Sequence, residues 1–181
     1  LAVGRGKSAT DSALLASDPH LGIMIPNLFM IAGIKSPSYH VVGLMMPGLP
    51  AVVAGRNPDI AWGGTNMRSA SSDLYSLAQV PPEKITTTKS TIKIRWWPDR
   101  TVDIRHTPLG PVISDAPLLK KYHDGPPLAL KWIGHQPTDE LSAILAASRA
   151  RTWDEFRSAW DSYGVSGMNL LYADREGNIG Q

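Results

Sequence analysis

Three stretches of the chain carry residue types suited to chemistry. The first is Ser17-Asp18-Pro19-His20-Leu21-Gly22, which presents an imidazole at a turn. Asp18 followed by Pro19 has the form of a helix cap with proline at the first helical position. Turns at strand ends are where a rigid scaffold holds reactive groups. The second is Trp62-Gly63-Gly64-Thr65-Asn66. A glycine pair inside a strand pattern marks a bulge, or close approach by another backbone or a ligand, and its N–H groups are open to an acceptor. The third is Asn169 in the apolar run Met168-Asn169-Leu170-Leu171-Tyr172. Asn169 alternates with Leu171 and so faces inward, where an amide left without a partner costs roughly 1–3 kcal/mol. Each has a plainer alternative: a simple turn with a surface histidine at His20, a satisfied backbone neighbour at Asn169. No HExxH, no GxSxG elbow and no P-loop occurs, and the histidines are scattered. If the chain serves an enzyme, its nucleophile is not marked within it.

The elements that must position these groups are mostly strands. Residues 1–10 and 12–17 read as a β-hairpin turning near Thr10-Asp11. Residues 23–34 are rich in Ile, Met, Leu and Phe but contain Pro26, which predicts a short helical turn and then a strand. Strands follow at 39–46, 51–54, 60–66 and 73–80. Residues 85–97 alternate Thr or Lys with Ile, as a solvent-exposed antiparallel strand does. Strands are also expected at 101–106 and 128–133. Two helices come next. Thr138 is expected to cap the first, whose face is Leu141, Ile144, Leu145 and Ser148. Thr152 and Glu155 have capping-box spacing for the second, whose core face is Trp153, Phe156, Trp160 and Tyr163. A last strand at 168–173 turns at Asp174-Arg175-Glu176-Gly177-Asn178 into Ile179. There are no repeats or linkers. The class is α+β with mainly antiparallel sheets and two helices near the C-terminus.

Composition narrows the function. The chain has 181 residues and 43% hydrophobic content, enough for one domain with a substantial core. A net charge of +2 gives no nucleic-acid footprint. No stretch is long and apolar enough to span a membrane. The absence of cysteine removes disulfides, thiolate metal sites and cysteine nucleophiles together. The first residue, Leu1, falls directly in a strand pattern and the last residues stop within a motif, so the sequence is expected to be part of something longer.

An ordered set of motifs then becomes recognisable: Asp18-Pro19-His20-Leu21-Gly22, Pro47-Gly48-Leu49-Pro50, Gly55-Arg56-Asn57, Ile60-Ala61-Trp62-Gly63-Gly64-Thr65-Asn66, Asp73-Leu74-Tyr75 and Tyr172-Ala173-Asp174-Arg175-Glu176-Gly177-Asn178-Ile179-Gly180. Their order and spacing resemble the β chain of the penicillin acylase (penicillin amidase) family. The resemblance implies a partial N-terminal nucleophile hydrolase αββα sandwich, with residues 1–181 the N-terminal part of an acylase β chain. It implies a precursor that cleaves itself, an α-chain partner from that precursor, and a periplasmic or secreted location. The catalytic serine would open the β chain about three residues before Leu1. The oxyanion donors would be the backbone N–H of Asn66 and the side-chain amide of Asn169, with His20 beside the nucleophile. The substrate would be a small acyl amide of the penicillin, cephalosporin or acyl-homoserine lactone type, and Met24 and Phe29 are expected in its acyl pocket. No cofactor is required. A structural calcium ion is seen in the family, and Asp73 matches one ligand, but Ala70 stands where some members have another aspartate. The alternative in a different class is a binding or scaffold domain of the same fold without a nucleophile.

Overall fold

The computed structural model describes residues 1–181. They fall into two compact units, Leu1–Ser69 with Pro137–Gln181, and Ala70–Gln136. The first unit opens with β1 (Ala2–Val3) and β2 (Leu14–Leu15), an antiparallel pair much shorter than the expected hairpin. Between them Arg5–Lys7 forms a 3-10 turn and Asp11 takes a positive φ of 52°, so the pairing cannot extend. Residues 16–29 contain no regular element, and this corrects two expectations: Asp18-Pro19 caps no helix, and no helical turn precedes the next strand. A proline at residue 19 and another at residue 26 leave too short a run to nucleate one.

Four antiparallel strands follow, β3 (Met30–Lys35), β4 (His40–Met45), β5 (Val52–Arg56) and β6 (Ile60–Asn66). The second unit holds β7 (Ser72–Ser76), β8 (Thr86–Ile92), β9 (Arg100–Thr107), β10 (Gly110–Pro111), the short α1 (Pro117–Lys120) and β11 (Leu128–Trp132). Here β8, β9 and β10 form one antiparallel sheet and β7 pairs with β11 in another. Every residue of β8 is exposed, as its alternation of threonine and lysine predicts, and the core is the small cluster Leu77, Val112 and Ala129. Arg105 and Asp115 lock this unit through a two-pronged pair, 2.7 and 2.6 Å.

The chain then returns to the first unit with α2 (Glu140–Ala147), α3 (Trp153–Ala159), β12 (Met168–Asp174) and β13 (Ile179–Gly180). One six-stranded antiparallel sheet results, in the order β13-β12-β6-β5-β4-β3. The two helices pack on the face that carries Val41, Val52, Ile60, Trp62 and Tyr172, all nearly inaccessible to solvent, and Phe156 sits among them. The α2 cap lies one residue later than expected. Asp139 accepts the N–H of Ser142, and Thr138 instead donates to the Glu140 carboxylate. The face of α2 differs in part: Ser148 is buried as expected, and Ile144 and Leu145 are half-buried. Ala143 and Ala147 turn inward while Leu141 is exposed, because small side chains let the helix lie close to the sheet. The α3 cap is as expected, with Thr152 accepting the N–H of Glu155, although the Glu155 carboxylate reaches back to Arg151 rather than to Thr152.

Asn57 ties the helices to the sheet. At the turn between β5 and β6 its amide nitrogen donates to the carbonyls of Ser148 and Ala150, and its Oδ1 accepts from the N–H groups of Asp59 and Ile60. All four contacts lie between 2.8 and 3.1 Å, and the side chain is almost fully buried.

Candidate active site

The site forms where β6 ends. β6 and β12 pair from Ile60↔Asp174 to Asn66↔Met168. The N–H of Met67 donates to the carbonyl of Gly167 at 3.0 Å. Because alternate residues of an antiparallel ladder point to opposite edges, the N–H groups of Asn66 and Gly64 are turned away from β12. β5 does not cover them, since its pairing with β6 stops at Gly55↔Trp62. Ser17 takes over that edge. Its hydroxyl accepts the N–H of Gly64 at 3.2 Å and lies 3.3 Å from the Gly64 carbonyl. The N–H of Asn66, further along the same edge, meets no acceptor.

Ser17 comes close enough only because residue 63 is glycine. A Cβ there would fall 2.5 Å from the Ser17 Cβ and 2.8 Å from its Oγ. The close approach read into the glycine pair is therefore an approach by Ser17. The same contact fixes the start of the loop that holds His20. The His20 ring lies 3.2 Å from the Asp18 carboxylate, with both side chains exposed. Leu1 and Ala16 exchange backbone hydrogen bonds, each 2.9 Å, so the beginning of β1 lies directly beside this loop.

Against this edge lies a cavity of about 470 Å³. Leu28, Phe29, Val53, Ala54, Ile144 and Leu170 give it an apolar wall, and Asp18, His20, Asn66 and Arg68 stand among its lining residues. Trp160 and Tyr163, expected only as core, also line it while their rings meet edge to face with centroids 5.3 Å apart. The indole Nε1 of Trp160 is buried without a partner. Three of the expected residues, His20, Phe29 and Asn66, thus meet at one cavity. Asn169 is half-buried one strand away, directly across from Thr65, on the opposite sheet face from Leu170. Met24 is exposed and outside the lining.

Asp73 lies elsewhere, on β7 of the second unit, exposed and paired in register with Lys131. A calcium ion takes six to eight oxygen ligands, and no cluster of acidic or histidine side chains gathers anywhere in the chain. A lone carboxylate does not make a calcium site, so the residues of this chain do not by themselves fit that ion.

Ser17 and Arg68 were not singled out for chemistry in the sequence. The glycine pair was the only signal for Ser17, and nothing local distinguishes Arg68. Its backbone is left-handed, φ 53°, and the Asn66 Oδ1 accepts its N–H at 2.6 Å. No helix is long and apolar enough to cross a membrane.

Comparison with known proteins bears on the family and the fold. The family described as Penicillin amidase matches residues 1–181. An acyl-homoserine lactone acylase, QuiP, of Pseudomonas aeruginosa is 29% identical over 97% of this chain and 23% of its own length. The penicillin acylase 2 proenzyme of a Pseudomonas species (strain SE83) is 28% identical over 99% of this chain and 24% of its own. Among solved structures, the thermostable penicillin G acylase from Alcaligenes faecalis superposes with a TM-score of 0.78 at 26% identity, covering 98% of this chain and 33% of that one. The chain spans about a quarter of the length of the curated relatives it matches. With its whole length matched and its mainly antiparallel fold shared with a solved acylase, the chain belongs to the penicillin amidase family.

Proposed function

We propose that the complete protein hydrolyses a linear amide between an acyl group and an amine, with a serine about three residues upstream of Leu1 as nucleophile. The observation that carries this reading is the free N–H of Asn66 at the mouth of an apolar cavity, next to the loop against which β1 begins. Ala2 pairs with Leu15 and Val3 with Leu14. If that register runs on upstream, a residue three positions before Leu1 comes opposite Pro19, next to His20.

The chemistry suits the groups present. A serine at a chain terminus carries its own base, because a free α-amine with an unperturbed pKa of about 7.7–8.0 can take the hydroxyl proton at neutral pH. The serine oxygen bonds to the amide carbon and the carbonyl oxygen becomes an oxyanion. The Asn66 N–H at the cavity is one donor for that charge, and the Asn169 amide, outside the cavity lining, is assigned as the second from the family resemblance alone. Each is worth on the order of 3 kcal/mol in such sites. The C–N bond then breaks and the ammonium returns its proton to the departing amine. Water repeats the sequence on the acyl-serine ester, releasing the acid and restoring the serine. His20 is a polar neighbour of the serine and its amine, and no step requires it as a base.

The names of the relatives support the wider picture. They are acylases of bacteria, and one is named as a proenzyme. The proposal therefore includes a self-processed precursor, an α-chain partner cut from it, and export to the periplasm or beyond. The test has two steps. The residues encoded before Leu1 should supply Ser, Thr or Cys at the processed terminus, and the complete processed protein should turn over a chromogenic phenylacetyl anilide or an acyl-homoserine lactone. Asn169→Ala should then lower kcat strongly with the fold intact. A terminus without a nucleophile, or no turnover by the complete processed protein, would leave a scaffold domain as the better description, whereas an Asn169→Ala protein with full kcat would remove Asn169 from the oxyanion site.

A further inference from the structure

The rim of the cavity holds three charged or chargeable side chains, and they are not equivalent. Asp18 and His20 lie 3.2 Å apart and answer each other. Arg68 is the only lysine or arginine in the lining, and it has no acidic partner, no hydrogen-bonded acceptor and no aromatic ring beneath it. It is also held in place. A positive φ is uncommon for a residue with a Cβ, and here the Asn66 side chain fixes it through the 2.6 Å bond to the Arg68 N–H. The Arg68 backbone is thereby anchored two residues from the free N–H of Asn66, and its unpaired guanidinium extends from that fixed point.

We propose that Arg68 is a specificity residue that binds a carboxylate on the amine portion of the substrate. This rests on the amidase reading, which places the scissile carbonyl at the Asn66 N–H. The apolar wall (Leu28, Phe29, Val53, Leu170) is suited to the acyl group, and a charged acyl tail would lose its hydration there with nothing in return. The amine portion is left at the open rim, where Arg68 is exposed. A guanidinium presents a planar fork of donors that matches a carboxylate with two parallel bonds. The preferred substrates are thus N-acylated amino acids, and amides of other amines that carry a carboxylate close to the nitrogen. Amides of neutral amines such as a lactone are poorer.

The test compares N-octanoylglycine with its methyl ester, which lacks the charge and adds one methyl group. The complete processed protein is assayed for amine release, and binding of both compounds is followed by calorimetry on protein whose nucleophile has been replaced. The acid is expected to be favoured about tenfold or more in both assays, chiefly through KM, as for a charge-assisted hydrogen bond. Arg68→Gln should bring the acid-to-ester ratio close to one, Arg68→Lys should restore part of it, and added salt should shrink it. An unmodified protein that treats the two alike, or an Arg68→Gln protein that keeps the ratio, overturns the assignment. Preferential binding of the acid with no turnover of either compound or of an anilide refutes the amidase reading and upholds Arg68 as a carboxylate site.

Discussion

Placing a methyl group at residue 63 should unseat the loop that carries His20. In Gly63→Ala the new Cβ would sit 2.5 Å from the Ser17 Cβ, 2.8 Å from its Oγ and 3.3 Å from Leu15 Cδ2. The first distance is more than 1 Å inside an ordinary contact between carbons. Two of these atoms belong to a residue whose hydroxyl is already committed to Gly64, so Ser17 must move and give up the contacts at 3.2 and 3.3 Å. Overpacking costs typically 1–3 kcal/mol. Losing the hydroxyl partner adds about 1 kcal/mol, giving roughly 2–4 kcal/mol in total. The decisive comparison is a double-mutant cycle with Ser17→Gly, which removes both clashing atoms. Chemical denaturation of the four proteins should give Gly63→Ala a clear loss and Ser17→Gly a loss of about 1–2 kcal/mol, from the unpaired Gly64 N–H. The double mutant should be scarcely worse than Ser17→Gly alone, which amounts to a coupling of about 2–4 kcal/mol. Additive losses would show that Ser17 is not what residue 63 makes room for. Activity gives a second readout, because Gly63→Ala should lower kcat beyond its effect on stability if the Ser17 contact holds the loop beside Asn66.

Other perturbations follow from the packing and the charges. Asn57→Ala removes four bonds from a nearly buried amide and strands the Ser148 and Ala150 carbonyls; a loss of about 3 kcal/mol or more is expected on denaturation, and a loss below 1 kcal/mol would refute the tie between α2 and the β5–β6 turn. Phe156→Ala empties a site bounded by the Trp153, Trp160 and Tyr172 rings, with centroids 5.4–6.3 Å away; it should cost about 3–5 kcal/mol, read as a fall in Tm. The bonds from Arg105 hold the Asp115 carboxyl below its usual range, against a smaller desolvation effect. Since the folded value is the lower one, the pair stabilises fully above the unfolded value of about 3.9 and its contribution is lost as pH falls from there through the folded value. Tm followed from pH 6 to pH 3 should decline, and Asp115→Asn should decline less steeply over that window.

Much of the sheet was legible because its signals are local. Alternation located β8, apolar runs located β4 and β12, a glycine pair within a strand pattern marked β6, and the capping pair Thr152 and Glu155 located α3. The errors came where long-range packing decides. Alternation alone extended β1 and β2 well past where Asp11 breaks the pairing. Leu141 was taken into the buried face of α2 together with Ser148, although closeness to the sheet selects Ala143 and Ala147 beside Ser148. Asp18-Pro19 reads as a cap by composition, yet no helix forms when a second proline follows so soon.

The site shows the same division at finer scale. Gly63 and Gly64 announced that something approaches β6, and the amino-acid types could not say whether it was backbone, ligand or side chain. Only the fold shows that a hydroxyl 47 residues away fills that edge as far as Gly64 and leaves the next outward N–H, that of Asn66, free. Asn57 looked like one turn residue among several, because its partners at Ser148 and Ala150 lie 91 and 93 residues along the chain. Arg68 carried no signal at all, since what distinguishes it is the lack of a partner in three dimensions. Ser17 and Asn66 are each ordinary in composition. Together they make one edge of a strand half occupied and half open, and the open half is where the chemistry of the complete enzyme is proposed to take place.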